Sequence, residues 1–393
     1  MEEIQELLEI SNFLIREADT TFLRYLHEKI DWSDRLIGIK GPRGIGKTTL
    51  LLQHIKLHHQ FSDTLYVVAD HFYFSEHRLY DLAQQFANLG GRYLYIDEIH
   101  KYNDWSRELK LIYDLRPDLH VVFTGSSMLD IERGEEADLS RRAIMYDMSG
   151  LSFREYLSMF HDIHLPVLSL QQVLRHELNI PRGFRPLRHF QEYLRQGYYP
   201  FAKENNFPIR LAQVIQNTIE VDIPYYARMN VSTAAKLKHL LMIVAREVPF
   251  KPNYQKISQM LDVNRAQVKN YMLYLEKAGL IGQLRDATGG IRSLGKVEKI
   301  YLNNAALSYH LGGGFSEIGT VRETFFYSQM HIVAEVLSSP ISDFLSNGIT
   351  FEVGGRKKGK KQIETAEQGV VVKDDITTGY GNIIPLWVFG LLY

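Results

Sequence analysis

Near the start of the 393-residue chain, a glycine-rich segment ends in a lysine and two threonines. It fits the pattern G-x-x-x-x-G-K-[ST], whose backbone N–H groups surround a phosphate while the lysine reaches the β- and γ-phosphates and the hydroxyl binds Mg²⁺. The segment follows an apolar run, 36–40, and precedes a stretch of helical character, which is the context that such a loop requires. The predicted ATP-binding residues are Gly41, Pro42, Arg43, Gly44, Ile45, Gly46, Lys47, Thr48 and Thr49.

An acidic pair follows a second apolar run, Tyr93–Ile96. At the end of a strand beside the phosphate loop, Asp97 would hold Mg²⁺ together with Thr48, and Glu98 would polarise the attacking water. Many strands end in solvated acids, so the pair alone would be a weak indication of a metal site. It indicates one here because a phosphate loop precedes it. Together the two motifs predict Mg²⁺-dependent hydrolysis of ATP, with Lys47 and Glu98 among the catalytic residues.

A third apolar run, 121–123, ends in hydroxyl side chains. Thr124 is placed there to contact both the γ-phosphate and the attacking water, and we predict that it senses the state of the nucleotide. Ser126 is a second candidate for this role. The alternative is that Ser126 or Ser127 only caps the following helix.

Two arginines, Arg141 and Arg142, follow an acidic loop, 132–138. Such a residue can supply positive charge to the γ-phosphate during hydrolysis. It would act from the same chain or from a neighbouring copy, and the second case requires self-association. A surface pair that neutralises the acidic loop is an equally good interpretation.

The elements that must position these residues alternate along the first part of the chain. After a predicted helix at 1–31, short apolar runs alternate with helical stretches, which is typical of an α/β sheet covered on both faces. From residue 151 the pattern becomes helical, and later it becomes mixed. The predicted segments are an ATPase core with its N-terminal helix at 1–150, a helical lid at 151–233, a third unit at 234–303 and an α+β domain at 304–393.

Several longer motifs together carry a family resemblance: GPRGIGKTTLL, YLYIDEIHKY, VVFTGSSML, GLSFREYL, YLRQGYYP and the closing IPLWVFGLLY. With them the sequence resembles the AAA+-superfamily ATPases of bacteria and archaea that join an ATPase core to a winged helix and a C-terminal domain of uncharacterised function. The resemblance implies a P-loop NTPase fold with an additional strand and the strand order 5-1-4-3-2.

A winged helix is predicted at 234–303, where three helices precede a glycine- and arginine-rich hairpin. The predicted DNA contacts are Arg265 and Lys269 on the third helix, with Arg285 and Arg292 on the wing. DNA is therefore a predicted partner of the ATPase. The alternative is a structural lid or a protein-contact module, as in a signalling ATPase whose partners are proteins only.

In related proteins the C-terminal domain resembles the PD-(D/E)xK nuclease fold, which binds Mg²⁺ through carboxylates and uses a lysine to stabilise the developing charge. The nearest equivalents here are Glu323, Asp343 and Glu352. Position 354, where the lysine is expected, is a glycine, so we predict a degenerate site. The alternative is that a lysine of the following basic run, 356–361, replaces it and that the protein is an ATP-regulated nuclease.

The composition sets limits on the function. The formal net charge is −1, so any nucleic-acid site must be a local patch, and the absence of cysteine excludes disulfides and thiol catalysis. The N-terminus lacks the features of a signal peptide, and the closing apolar run is too short for a membrane helix. We expect a cytoplasmic protein without a membrane partner, and a buried terminal strand. No pair of the fifteen histidines suggests a metal site from its spacing.

Overall fold

The computed structural model describes residues 2–128, 139, 141–227, 229, 231–287, 296–312 and 317–393. The chain forms two compact units. The first contains Met1–Ser149 and Tyr225–Arg228, and the second contains Gly150–Pro224 and Met229–Tyr393. Within the described residues, no helix is both long and apolar enough to cross a lipid bilayer.

The first unit is a parallel sheet with flanking helices. Its strands are β1 (Leu36–Gly41), β2 (Thr64–Val68), β3 (Tyr93–Asp97), β4 (His120–Ser126) and β5 (Ile144–Asp147). Its main helices are α1 (Glu2–Glu17), α2 (Tyr25–Lys29), α3 (Lys47–His58), α4 (Leu79–Asn88) and α5 (Trp105–Leu115). The single helix predicted over 1–31 is therefore wrong, since it is two helices separated by an irregular segment.

The strands follow the order β2-β3-β4-β1-β5, and all neighbouring pairs are parallel. This confirms the predicted order 5-1-4-3-2. Strands β1 to β4 are nearly continuous runs of buried, mostly apolar residues because helices cover both faces of the sheet. Their carboxyl ends lie at one edge, which brings the ends of β1, β3 and β4 together.

The second unit is largely helical before its sheets. Its helices are α6 (Phe153–His161), α7 (Leu170–Leu174), α8 (Pro186–Gln196), α9 (Phe207–Asn217), α10 (Ile223–Ala227, whose last residues group with the first unit), α11 (Val231–Glu247), α12 (Tyr254–Leu261), α13 (Arg265–Lys277), α14 (Ala305–Leu311) and α15 (Ile318–Val333). Its strands are β6 (Ile281–Arg285), β7 (Val297–Leu302), β8 (Leu337–Ser338), β9 (Phe344–Ser346), β10 (Ile349–Gly354), β11 (Gly369–Lys373) and β12 (Ile383–Pro385).

The described residues of this unit form two sheets. Strands β6 and β7 form an antiparallel pair, and the other five form a mixed sheet in the order β12-β11-β10-β9-β8. Buried aromatic residues of α15 and of the closing segment, including Phe326 and Phe389, fill its core. The buried terminal strand that we predicted is only Ile383–Pro385, and the buried residues after it, Leu386–Leu391, form a 3₁₀ helix.

Candidate nucleotide-binding site

The glycine-rich loop connects the end of β1 to the start of α3. Gly44 and Gly46 have φ angles of 80° and 97°, which favour glycine because a Cβ is disfavoured there. A Cβ on Gly41 would overlap the carbonyl oxygen of Met148. Lys47 folds back over the loop, and its Nζ donates to the carbonyl oxygens of Gly41 and Pro42 at 2.8 and 2.9 Å. The loop therefore curves around its own lysine at the N-terminus of a helix, while Thr48 and Thr49 are exposed.

Arg24 supports this loop from the segment before α2. It is buried, and its guanidinium donates to the carbonyl oxygens of Ile45 at 2.5 Å and of Ser149 at 2.7 Å. These bonds connect the loop to the segment that follows β5. Arg24 could not be predicted from the sequence, since nothing in its local pattern separates it from a surface arginine.

Asp97 is the centre of a hydrogen-bond network that joins four elements of the first unit. Its Oδ2 accepts from the hydroxyls of Thr48 at 2.5 Å and Tyr66 at 2.9 Å, and its Oδ1 accepts from the hydroxyl of Thr124. The backbone N–H of Glu98 donates to both Asp97 Oδ1 and Thr124 Oγ1 at 3.1 Å. Four of the residues predicted from separate motifs are thus brought together.

Tyr66, on β2, is a member of this network that the sequence did not reveal. Burial and the negative charge of Asp97 raise the pKa of its phenol well above the usual range. The phenol therefore stays protonated and can act only as a hydrogen-bond donor to the carboxylate.

Glu98 takes part in an ion pair with its neighbour Lys101. The distance from Lys101 Nζ to the Glu98 carboxylate is 3.1 Å, and the same ammonium lies 3.0 Å from Asp70 Oδ2. Although burial opposes the charged form, these two carboxylates raise the pKa of Lys101. The backbone of Glu98 has φ 51°, a left-handed conformation that turns the chain directly after β3.

His100 is a buried neighbour that the sequence analysis also missed. Only 7% of it is exposed, and its Nδ1 has no hydrogen-bond partner among the described residues. Burial, followed by the positive charges of Lys47, Lys101 and Arg43, lowers its pKa to about 3. Its ring lies 5.7 Å from that of Tyr226. A neutral imidazole therefore lies close to the phosphate loop.

The other predicted nucleotide contacts are less well placed. Two guanidinium nitrogens of Arg142, Nε and Nη2, donate to Asp114 on α5, at 2.9 and 3.0 Å. This pairing fits the surface interpretation, although the partner is not in the acidic loop. Arg141 is exposed. The hydroxyl of Ser126 accepts from Met128 N, which fits its capping alternative.

In the second unit, the residues predicted to contact DNA differ in exposure. Arg265 and Lys269 are exposed on α13, where Arg265 donates to Gln255 and Lys269 lies over the ring of Tyr254. The guanidinium of Arg285 is instead bound to both carboxylate oxygens of Glu276, at 3.2 and 3.0 Å. We therefore leave Arg285 out of the proposed contacts. Arg292 lies outside the described residues.

The carboxylates predicted from the nuclease resemblance contact lysines. Lys299 Nζ lies 3.5 Å from Glu323 Oε2 and 3.4 Å from Asp343 Oδ1. Burial and the charge of Asp343 raise the pKa of Glu323. Glu352, on β10, is fully buried, and its carboxylate contacts the hydroxyl of Ser342 and the ammonium of Lys358. These three carboxylates do not bring three ligand atoms within 4.8 Å of one another.

Comparison with known proteins gives two family matches. Residues 33–157 match a family model described as an AAA domain, and residues 187–317 match that of a domain of unknown function. An uncharacterized protein of Methanocaldococcus jannaschii is 25% identical over 409 aligned positions, which cover 91% of this chain and 86% of that protein.

Similarity to solved structures is distant. C. elegans PCH-2 is 16% identical with a TM-score of 0.26, and the match covers 70% of this chain and 66% of that chain. The S. cerevisiae Hsp104–ADP complex is 16% identical with a TM-score of 0.29, and the match covers 69% of this chain and 40% of that chain. AMPPCP-bound DnaA from Aquifex aeolicus is 15% identical with a TM-score of 0.27, and the match covers 69% of this chain and 88% of that chain. Such low TM-scores carry no argument about function. The chain is an α/β protein with a P-loop NTPase core, and residues 33–157 are similar to AAA domains.

Proposed function

We propose that the first unit binds and hydrolyses ATP with Mg²⁺. The observation that carries this proposal is the network around Asp97, which joins Thr48 of the loop helix to Thr124 of β4. A hydroxyl and a carboxylate are the oxygen ligands that Mg²⁺ prefers, so Thr48 and Asp97 fit the ion. When bound, Mg²⁺ would neutralise charge on the phosphate oxygens.

The side chains have distinct tasks in this reaction. Lys47 and the loop N–H groups bind and orient the phosphates, and Thr124 holds the backbone of Glu98 in place. Glu98 orients the attacking water and accepts its proton once its carboxylate is released from Lys101. Of the two predicted arginines, Arg142 is bound to Asp114. Arg141, which is exposed shortly before β5, is therefore the one that we propose approaches a nucleotide of a neighbouring copy.

Replacement of Glu98 by glutamine tests the ATPase directly. The amide keeps the shape but cannot accept the proton, so turnover should fall at least ~100-fold while ATP affinity stays within about twofold of wild type. Asp70→Asn is the matched control, because it removes the other carboxylate that pairs with Lys101. Turnover that survives in Glu98→Gln would remove the proposed role of this residue.

We infer a second function for the C-terminal domain, that of a nuclease, from the position of Lys358. A Cβ placed on Gly354 would lie 2.6 Å from Lys358 Cγ and 2.7 Å from its Cδ. The stem of Lys358 therefore fills the space that a side chain at position 354 would occupy, and its ammonium reaches Glu352. This favours a replaced lysine over the degenerate site that we predicted.

Nicking of supercoiled plasmid in Mg²⁺ tests this function. Lys358→Met and Asp343→Ala should each reduce nicking at least ~100-fold, because the charge or the metal ligand is lost. Lys357→Met, an exposed neighbour in the same run, should nick like wild type. If wild-type protein does not nick DNA, the degenerate interpretation holds.

A further inference from the structure

Three histidine side chains of the first unit come together, one from α2 and two from α3. His27 lies on α2, and His54 and His58 lie four residues apart on α3, so these two share one face of the helix. One ring nitrogen of each residue lies within 4.8 Å of the other two. The structure therefore forms a cluster of three imidazoles at the C-terminal end of the helix that begins with the phosphate loop.

The separation of the closest pair is that of two ligands of one metal ion. His54 Nδ1 lies 3.4 Å from His27 Nε2. Zn–N bonds of about 2.0–2.1 Å at tetrahedral angles place two ligand nitrogens about 3.4 Å apart. A hydrogen bond between the two rings would give a similar distance, but it would not require His58, whose ring lies 4.7 Å from that of His54.

The surroundings fix two of the rings and leave the third accessible. His27 and His54 are 8% and 4% exposed, whereas His58 is exposed. The indole of Trp32 stacks on His54 with a centroid distance of 3.6 Å, and its Nε1 donates to the carbonyl oxygen of His27 at 2.9 Å. Two ligands are thus held by packing, and an ion could enter from solvent beside the third.

The charges at this position are compatible with a cation. The carbonyl dipoles at the C-terminus of α3 favour positive charge. Lys56, the nearest lysine along the helix, points elsewhere, since its Nζ donates to the carbonyl oxygens of Arg16 and Ala18.

We propose that His27, His54 and His58 form a binding site for a divalent transition metal, with Zn²⁺ as the ion of best fit. Three imidazoles suit Zn²⁺ and leave one coordination position for water or another ligand. The ion would connect α2 to α3. Arg24, directly before α2, binds the loop carbonyl of Ile45, and α3 begins at the end of the loop. The metal would therefore stiffen both segments that hold the phosphate loop.

A second group, His161, His189 and Glu192, also brings three ligand atoms together. The ammonium of Lys203 lies 3.3 Å from Glu192 Oε2 and competes with a cation for the carboxylate. We do not propose a metal site there, and the group instead provides a control.

The experiment uses the full chain, stripped of metal and free of nucleotide, with Co²⁺ as the spectroscopic probe and Zn²⁺ in calorimetry. Wild type should show the visible absorption of tetrahedral cobalt at one equivalent, and Zn²⁺ should displace it. His58→Gln should abolish this absorption and weaken Zn²⁺ binding at least tenfold. Two control variants, His164→Gln at an exposed histidine and His189→Gln in the second group, should each retain the cobalt absorption and the Zn²⁺ binding of wild type.

Zn²⁺ should also raise the melting temperature of wild type but not that of His58→Gln, whose side chain is exposed and should not affect folding. The proposal fails if wild type gives no tetrahedral cobalt spectrum, or if His58→Gln binds Zn²⁺ as wild type does. Lys47→Ala, which should lose ATP binding, must still bind Co²⁺. The metal site and the ATPase therefore stand or fall separately.

Discussion

At the scale of single residues, Asp97 explains how motifs from separate strands act as one site. Its two oxygens accept hydrogen bonds from the hydroxyls of Thr48 on α3, Tyr66 on β2 and Thr124 on β4. A carboxylate with this many donors is held in one orientation, and only its remaining lone pairs are available to a metal-bound water. Tyr66 is then a positioning residue, since its hydroxyl acts through Asp97.

Removal of the Tyr66 hydroxyl should therefore lower the rate of ATP hydrolysis. A hydrogen bond to a charged group contributes about 1.5–3 kcal/mol, so Tyr66→Phe should reduce kcat roughly 10- to 100-fold with little change in KM for ATP. The matched control is Tyr95→Phe, a buried tyrosine paired in register with Tyr66 whose hydroxyl bonds to His59 instead. Equal kcat values for the two variants, measured by phosphate release, would exclude the positioning role.

His100 should make the stability of the protein depend on pH. Its pKa is about 3 in the folded chain, against 6.5 as the ordinary value, so the unfolded state takes up a proton first as the pH falls below 6.5. Stability is therefore lost on acidification from 6.5 towards 3, by about 2 kcal/mol at pH 5 from this residue alone.

Urea unfolding at pH 7.5 and pH 5 measures this contribution. In His100→Asn the loss of unfolding free energy between the two pH values should be about 2 kcal/mol smaller than in wild type. His164→Gln, at an exposed histidine, should show the wild-type loss. A loss in His100→Asn equal to that of wild type would mean that the buried imidazole is protonated without cost.

At the scale of elements, the sequence predicted those parts of the site that are local in the chain. Apolar runs predicted the parallel strands β1 to β4, because strands buried on both faces have little choice of residue type. The phosphate loop followed from its spacing. Tyr66 and Arg24 could not be predicted, because each acts across the fold on a residue more than 20 positions away, and neither lies in a recognisable pattern.

The same limit applies to the lysines of the second unit and to the histidine cluster. The sequence showed that position 354 lacks a lysine, but only the fold places the stem of Lys358 over Gly354. Likewise, His54 and His58 are a helical pair that gains a third ligand only when α2 packs near α3. Local patterns identify chemistry within one element, and packing determines which elements combine.

The irregular segment before α2 should contribute to ATP affinity, because its Arg24 holds the phosphate loop. Arg24→Met leaves the carbonyl oxygens of Ile45 and Ser149 without these donors, and a buried unpaired group costs about 1–3 kcal/mol. We expect ATP affinity to fall about tenfold in a titration with a fluorescent nucleotide. Arg116→Met, which removes a guanidinium bound to Asp118 and Asn88, should bind ATP normally. Unchanged affinity in Arg24→Met would show that the loop needs no such support.

At the scale of the whole molecule, the distribution of charge indicates which partner the proposed ATPase would act on. The net charge of −1 provides no general attraction to nucleic acid, so a DNA site depends on a few local cations. Element order favours a winged helix, since α11, α12 and α13 precede the antiparallel pair β6–β7. On α13, Arg265 and Lys269 are four residues apart and exposed, so they can contact phosphates on one face.

We therefore predict that DNA binds through α13 and stimulates ATP turnover. Each lost phosphate contact lowers the slope of log K against log salt by about 0.9, so Arg265→Glu with Lys269→Glu should reduce it by about 2 and abolish stimulation. Arg175→Glu with Arg182→Glu makes the same charge change at exposed positions outside α13 and should leave both unchanged. If the two double variants weaken binding equally, the attraction is non-specific. If DNA never alters wild-type turnover, a signalling ATPase with protein partners becomes the better proposal, because exposed cations on a helix serve protein contacts equally well.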